Sequence, residues 1–256
     1  MLMDERLANW VQEEDLRRRL LDYLTQVGAS CSLVGGTVRD ILLGRPSLDI
    51  DLAVNGPAMA LARQLADWLP GALVAIDRQR DVARVIVGRG CQQRHIDLAT
   101  LRADDLAGDL RLRDYTINAM ALPVAPQGIG ELLDPTGGQQ DLADGTLRAA
   151  CPQALLDDPL RVLRGARLAA DLALTWEPTT RRLAEAASSQ LNRVSWERRR
   201  DELMRILELE RSAEALQDLD ALCALSVVLP EVAASSLRSS RGWPTLARLD
   251  AWDRCA

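Results

Sequence analysis

SLVGGTVRDILLGRPSLDIDLAV, Ser32 to Val54, is the stretch on which the fold of this chain turns. Cys31 to Val34 is a short apolar run that stops at Gly35-Gly36, which predicts a strand entering a tight turn. Thr37 suits a helix N-cap, Val38 to Leu43 has helical apolar spacing, and Gly44 suits the C′ position. After the Arg45-Pro46-Ser47 turn, Leu48 to Leu52 alternates with period two, the mark of a half-buried strand. Leu48, Ile50 and Leu52 then face one way, and Asp49 and Asp51 face the other.

Next-but-one residues on a strand lie ~6.5–7 Å apart at Cα, so both carboxylates can reach one magnesium ion or a pair. Two bare carboxylates side by side repel, and a divalent cation removes that penalty. Upstream, the Gly35-Gly36 turn lets backbone N–H groups come close to an anion, and the following helix points its positive end there. A nucleoside triphosphate with Mg2+ joins the two halves: amides for phosphate, carboxylates for metal, in-line attack by a hydroxyl. Alone, D-x-D reads as a solvated strand face and Gly-Gly as a plain turn. Joined in one strand–turn–helix–strand unit, they read as a site.

Composition bounds the rest. A chain of 256 residues can hold one large or two modest domains. All 31 basic residues are Arg, and the formal net charge is −6, so any RNA site is a local patch on an acidic protein. Cys31, Cys91, Cys151, Cys223 and Cys255 show no C-x-x-C or metal spacing, as expected of reduced thiols in a cytoplasmic protein. His95 is the only histidine, which excludes multi-histidine zinc sites. The early charges and the lack of a long apolar run predict neither a signal peptide nor a membrane span.

Taken in order, Asp4 to Val27 is expected to form one amphipathic helix buried through Leu7, Val11, Leu16, Leu20, Leu21 and Leu24, with Arg17-Arg18-Arg19 on a solvated face. A helix over Pro57–Leu69 precedes strands at 73–77, 83–87 and 95–99. Asp104 to Gly108 is polar and reads as a loop. Strands at 120–124 and 129–133 make a hairpin around Pro126-Gln127-Gly128. Every segment past Ala149 has helical period, which sets a change from α+β to all-α there. Asp157-Asp158-Pro159 opens the first of these helices, and Glu177–Ser188 and Ser195–Leu209 follow.

Leu33-Val34-Gly35-Gly36-x-Val38-Arg39-Asp40, with Gly44, Pro46 and Asp49-x-Asp51, closely resembles the first motif of class II tRNA nucleotidyltransferases (CCA-adding enzymes) and bacterial poly(A) polymerases. Asp97, before Thr100-Leu101-Arg102, stands where the family often carries an acidic residue, which makes it a possible third carboxylate or else half of a surface ion pair. Arg113-Asp114-Tyr115-Thr116-Ile117-Asn118-Ala119 is similar to the second motif, R-R-D-F-T-x-N-A. Leu112 replaces the first Arg, and Tyr115 the usual Phe. Asp134-Pro135-Thr136-Gly137-Gly138 resembles the third motif. Asp158 and Arg161 match the family's E-D-x-x-R, with Asp157 for the Glu, and Ser195 to Glu202 resembles S-x-E-R-x-x-x-E.

The resemblance implies a fold and a set of roles. The fold is α+β: a nucleotidyltransferase (polymerase β-like) mixed-sheet head over residues 1–148, then an all-α neck and partial body over 149–256. Asp49 and Asp51 are the catalytic metal ligands for Mg2+. Gly35, Gly36, Arg39, Arg113, Asp114 and Asn118 hold phosphate or ribose. Asp158 and Arg161 recognise the base, and Arg164 and Arg167 add nucleotide or RNA contacts. Glu197, Arg198 and Glu202 read as ties between helices. The implied function is template-independent addition of C, A or both from CTP and ATP to tRNA 3′ ends. Two alternatives stay open: a poly(A) polymerase of the same family, and a truncated, non-catalytic paralogue that binds nucleotide or a partner. Little sequence follows the neck, so a homo-oligomer or a second chain is expected to supply the tRNA grip.

Overall fold

The alternation from Asp49 onward becomes the middle strand of a seven-stranded sheet in the computed structural model, which describes residues 3–47, 49–125 and 127–230. Leu48, Pro126 and the sequence after residue 230, where further short helices are expected, lie outside the described residues. The chain divides into two units. The first holds the chain up to Arg113 together with Ile117–Gln139, and the second holds Asp114–Thr116 and the chain from Gln140 on.

The first unit starts with α1 (Met3–Gln12) and α2 (Asp15–Gln26). One continuous helix is expected here, but Glu14 adopts extended backbone and turns the chain back. The reason is Arg17. Only 3% exposed, it lies under the Trp10 ring and donates to the carbonyls of Trp10 (2.9 Å) and Ser47 (2.8 Å). A buried guanidinium needs such partners, and a straight helix would carry Arg17 away from Trp10. Trp10, Arg17 and Tyr23 therefore share the buried face with Leu20 and Leu24, while Leu7, Val11, Leu16 and Leu21 are only half-buried.

β1 (Cys31–Val34), α3 (Gly35–Leu43) and β2 (Asp49–Val54) form the central unit. The helix begins at Gly35, so Thr37 lies in its first turn and is not the N-cap. Gly44 ends it at φ +65°, with Gly44 and Arg45 N–H groups bonded back to Ile41 and Asp40. α4 (Ala58–Trp68), β3 (Ala72–Asp77), β4 (Val82–Val87) and β5 (Arg94–Thr100) follow, then α5 (Leu106–Arg111), β6 (Ala121–Ala125) and β7 (Gly128–Ile129). Strand order is β3-β4-β5-β2-β1-β6-β7, and only the β2–β5 pair is parallel. The expected loop at 104–108 contains the start of α5, whose N-cap Asp105 accepts from Gly108 N–H. Ile50, Leu52, Ile96 and Leu98 fill the sheet core, and α4 packs over β3, β4 and β5.

α6 (Gly138–Ala143) leads the chain into the second unit. There α7 (Ala154–Asp157), α8 (Leu160–Leu172), α9 (Pro178–Ser188), α10 (Trp196–Leu207), α11 (Ser212–Ala221) and α12 (Leu225–Val228) surround a core of Leu163, Ala166, Ala184, Leu191, Ile206 and Leu219. It is not purely helical: β8 (Thr146–Leu147) and β9 (Thr175–Trp176) pair in parallel. Residues 140–148, grouped with the head by sequence, find their partners here. Asp141 accepts from Thr116 Oγ1 (2.7 Å), and Arg148 pairs with Asp141.

Candidate active site

The alternation of β2 buries Ile50 and Leu52 and leaves Asp49 and Asp51 on the opposite face, with the Asp49 side chain 59% exposed. Hydroxyls fix the backbone between them. Thr37 Oγ1 accepts from Asp51 N–H at 2.8 Å, and Ser47 Oγ donates to the Asp49 carbonyl at 2.7 Å. The parallel register sets Asp49 beside His95 and Asp51 beside Asp97, and registered residues share a face. His95 Nδ1 lies 3.2 Å from Asp49 Oδ1. Asp97 receives both arms of the Arg84 guanidinium at 2.7 Å. Arg84 is held above its ordinary range first by that hydrogen bond, against its own burial, and then by the charges of Asp97, Asp49 and Asp51.

The glycine turn sits on the same side. A side-chain carbon placed on Gly35 (φ +65°) would lie 3.1 Å from Asp51 Oδ2 and 3.2 Å from Arg113 Nη1, and one on Gly36 would lie 3.4 Å from Arg39 Nη2. Both the left-handed backbone and the lack of space demand glycine at 35. Arg39 donates to Asn118 Oδ1 at 2.7 Å and pairs with Asp40. Gly35, Gly36, Arg39, Asp51, Arg113 and Asn118 therefore meet in the first unit. Hard carboxylate oxygens beside a cradle that any Cβ would fill, with guanidinium groups at its rim, fit a divalent cation and a phosphate chain. Among the described residues no group of three or more His, Cys, Asp or Glu is placed to hold a metal ion.

The second unit takes the remaining candidates. Asp114 accepts from Arg164 Nη1 (3.1 Å). Arg167 Nε donates to Glu202 Oε1 (2.6 Å), so the stripe expected to touch RNA is partly occupied within the fold. Asp158 links α7 to α8. Its Oδ1 accepts from Leu160 N–H (3.3 Å) and its Oδ2 from Arg198 Nη2 (2.7 Å). Arg161 Nη1 donates to the Ala154 carbonyl (3.1 Å), and the hydroxyl of Tyr115 donates to the Arg161 carbonyl (2.7 Å).

Four participants escape sequence reasoning. Thr37 and Ser47 brace the carboxylate strand, Arg84 balances its charge, and Asp109 anchors Arg113. Asp109 is 2% exposed. Burial alone would raise its carboxyl, but Arg102 and then Arg113 bring it below the ordinary range. Only the Arg84–Asp97 pair leaves a signal, since both residues fall on the polar phase of adjoining strands.

Residues 31–148 match the family model for the poly(A) polymerase head domain, and residues 174–235 match that for the probable RNA- and SrmB-binding site of polymerase A. The chain belongs to the tRNA nucleotidyltransferase and poly(A) polymerase family. Within this family it is 39% identical to the CC-adding tRNA nucleotidyltransferase of Geobacter sulfurreducens over 208 residues, 81% of this chain and 47% of that protein. Identity to the A-adding tRNA nucleotidyltransferase of Deinococcus radiodurans is 40% over 206 residues, 78% of this chain and 45% of the other. Among solved structures, a CCA-adding enzyme in complex with ATP superposes with a TM-score of 0.76 at 34% identity, covering 89% of this chain and 56% of that one. The Thermotoga maritima CCA-adding enzyme complexed with tRNA-CCA gives 0.74 at 34% identity, with 87% and 55% covered. The chain spans about half the length of the curated relatives it matches. No helix among its described residues is long and apolar enough to cross a membrane.

Proposed function

We propose that the chain is a template-independent RNA nucleotidyltransferase that adds C, A or both from CTP and ATP to tRNA 3′ ends in the cytoplasm. The observation that carries this is the carboxylate face of β2 set against the Gly35-Gly36 turn. With Mg2+ held by Asp49 and Asp51, charge on the triphosphate is offset and the primer 3′-hydroxyl becomes more acidic. The amides of the Gly35 turn and the guanidinium groups of Arg39 and Arg113 bind and orient the phosphates. Asn118, carried by Arg39, and Asp114 offer acceptors to the ribose hydroxyls. The 3′-hydroxyl gives up its proton to solvent, its oxygen bonds to the α-phosphorus, the bond from that phosphorus to the α–β bridging oxygen breaks, and pyrophosphate leaves with the electron pair.

Asp158 and Arg161 read the base. A carboxylate accepts from the exocyclic amine that C and A carry, and a guanidinium donates to the ring nitrogen or carbonyl beside it. Arg164 and Arg167 act through Asp114 and Glu202, which argues for support of the reading helix over direct RNA contact. Asp97, clasped by Arg84, serves charge balance in this reading. The similarity to CC-adding, A-adding and CCA-adding proteins supports the reaction class and leaves three products to separate. The test is incubation of tRNAs ending in the discriminator base, C or CC with each labelled nucleotide in turn. Incorporation of C, A or both supports the reading. Long adenylate tracts would favour the poly(A) alternative, and no incorporation with any primer would overturn it.

A further inference from the structure

We infer that Arg198 is a positioning residue for nucleotide choice: its guanidinium holds the Asp158 carboxylate in the orientation that reads the base. The inference rests on the proposed role of Asp158 and goes beyond it. Asp158 lies on a linker between two helices, with extended backbone (φ −140°, ψ 95°) and a side chain 31% exposed. Nothing in the linker itself fixes its two side-chain torsions. Two bonds from different helices do so: the Leu160 N–H at the start of α8 and Arg198 Nη2 from the first turn of α10. The amide bond is the longer one, 3.3 Å against 2.7 Å, so most of the restraint comes from the charge-assisted bond to Arg198.

A carboxylate oxygen has two lone pairs, so one bond to Arg198 still leaves Asp158 able to accept from an exocyclic amine. Asp158 and Arg198 also border an open cleft of about 370 Å³ with Gln190, Arg193 and Ser195; Arg161 does not line it, so Arg198 approaches Asp158 from the side away from the reading partner. Arg198 is anchored on α10, whose N-cap is Ser195. Arg161 is restrained in the same manner by the Ala154 carbonyl, so both reading groups reach the base with their torsions already set. A carboxylate free to rotate could serve U or G almost as well through water, whereas one held in a single plane rejects a base that has a carbonyl where C and A carry the amine.

Arg198 is 53% exposed at the side chain, so its replacement does not threaten the fold. The experiment measures equilibrium binding of CTP, ATP, UTP and GTP with magnesium, and single-nucleotide incorporation with each. It compares the full chain with Arg198→Ala, Arg198→Lys, Asp158→Ala and the Asp158→Ala/Arg198→Ala double variant. Arg198→Ala is expected to lower the preference for CTP and ATP over UTP and GTP about tenfold. Arg198→Lys should recover part of it. In the Asp158→Ala background, removal of Arg198 should change nothing more, because it acts through that carboxylate. If Asp158→Ala flattens the choice and Arg198→Ala does not, the inference fails while the reading of Asp158 stands. An effect of Arg198→Ala that persists in the Asp158→Ala background would also overturn it, as a direct contact of Arg198 with the nucleotide. If Asp158→Ala itself leaves the choice unchanged, the base-reading proposal falls and takes the inference with it.

Discussion

Asp49 and Asp51 stand out in the sequence because a strand's two-residue period puts alternate polar positions on one face, soon after a Gly-Gly turn that leads into a helix. Their supporting residues are hidden because contact is made across distance. Arg84 is 13 residues from Asp97, and Arg198 is 40 from Asp158. Asp51→Ala is expected to lower nucleotide incorporation by several orders of magnitude in the presence of Mg2+. Its stability should move by less than about 1 kcal/mol, since Asp51 is only half-buried and shares its face with the like charge of Asp49. Parallel measurements of incorporation and urea unfolding check both parts, and near-normal turnover would refute the metal role. Arg113 illustrates what residue chemistry alone leaves open. The motif assigns it to phosphate, but only the fold shows that buried Asp109 keeps its other arm and leaves Nη1 beside Gly35.

Elements were legible where boundary signals and periods agree, as in α4, α9 and α10, whereas α3 starts two residues ahead of its expected cap. They were misread where a distant partner decides, as with the break between α1 and α2. The two-residue strands β8 and β9 are too short to leave a period. At α9 the N-cap Glu177 accepts from the N–H groups of Thr179 (2.9 Å) and Thr180 (2.7 Å). Burial would push its carboxyl up, but those bonds outweigh it and bring it from 4.5 down to about 2. A depressed folded value means that the cap stabilises above the unfolded value and that its contribution is lost as pH falls from about 4.5 toward 2. Glu177→Gln should therefore unfold with a shallower pH dependence in that window, and thermal melts across it provide the check. Packing makes a second prediction. A methyl group on Gly165 of α8 would come within 2.1 Å of the Tyr115 hydroxyl and 2.4 Å of the Trp176 ring. Gly165→Ala is expected to cost about 3 kcal/mol, the upper part of the overpacking range, read from chemical denaturation. The same packing suits Tyr115: its hydroxyl bonds to the Arg161 carbonyl and so is not orphaned in the core.

For the whole molecule, a net charge of −6 confines RNA attraction to local arginine clusters. Each phosphate contact releases counterions and carries about a threefold loss of affinity per fourfold rise in salt. Binding of tRNA should therefore weaken linearly on a log–log plot, with a slope that counts the contacts. A flat dependence between low and moderate salt would exclude phosphate contacts as the source of affinity. The two-part organisation was legible as a change from mixed to helical period. The exchange of Asp114–Thr116 between units was not, because a motif read as one string is divided only by its spatial neighbours. Buried Arg17 bears on how the molecule is made. It meets the Ser47 carbonyl 30 residues later, and Ser47 in turn braces Asp49. Until Ser47 is made, Arg17 has its partners within the helix pair, the Glu13 and Glu14 carboxylates and the Trp10 carbonyl, but lacks the second carbonyl that completes its burial. The helix pair is thus a receiving dock for the segment that leads into β2, and the carboxylate face takes its final shape only once that dock is filled.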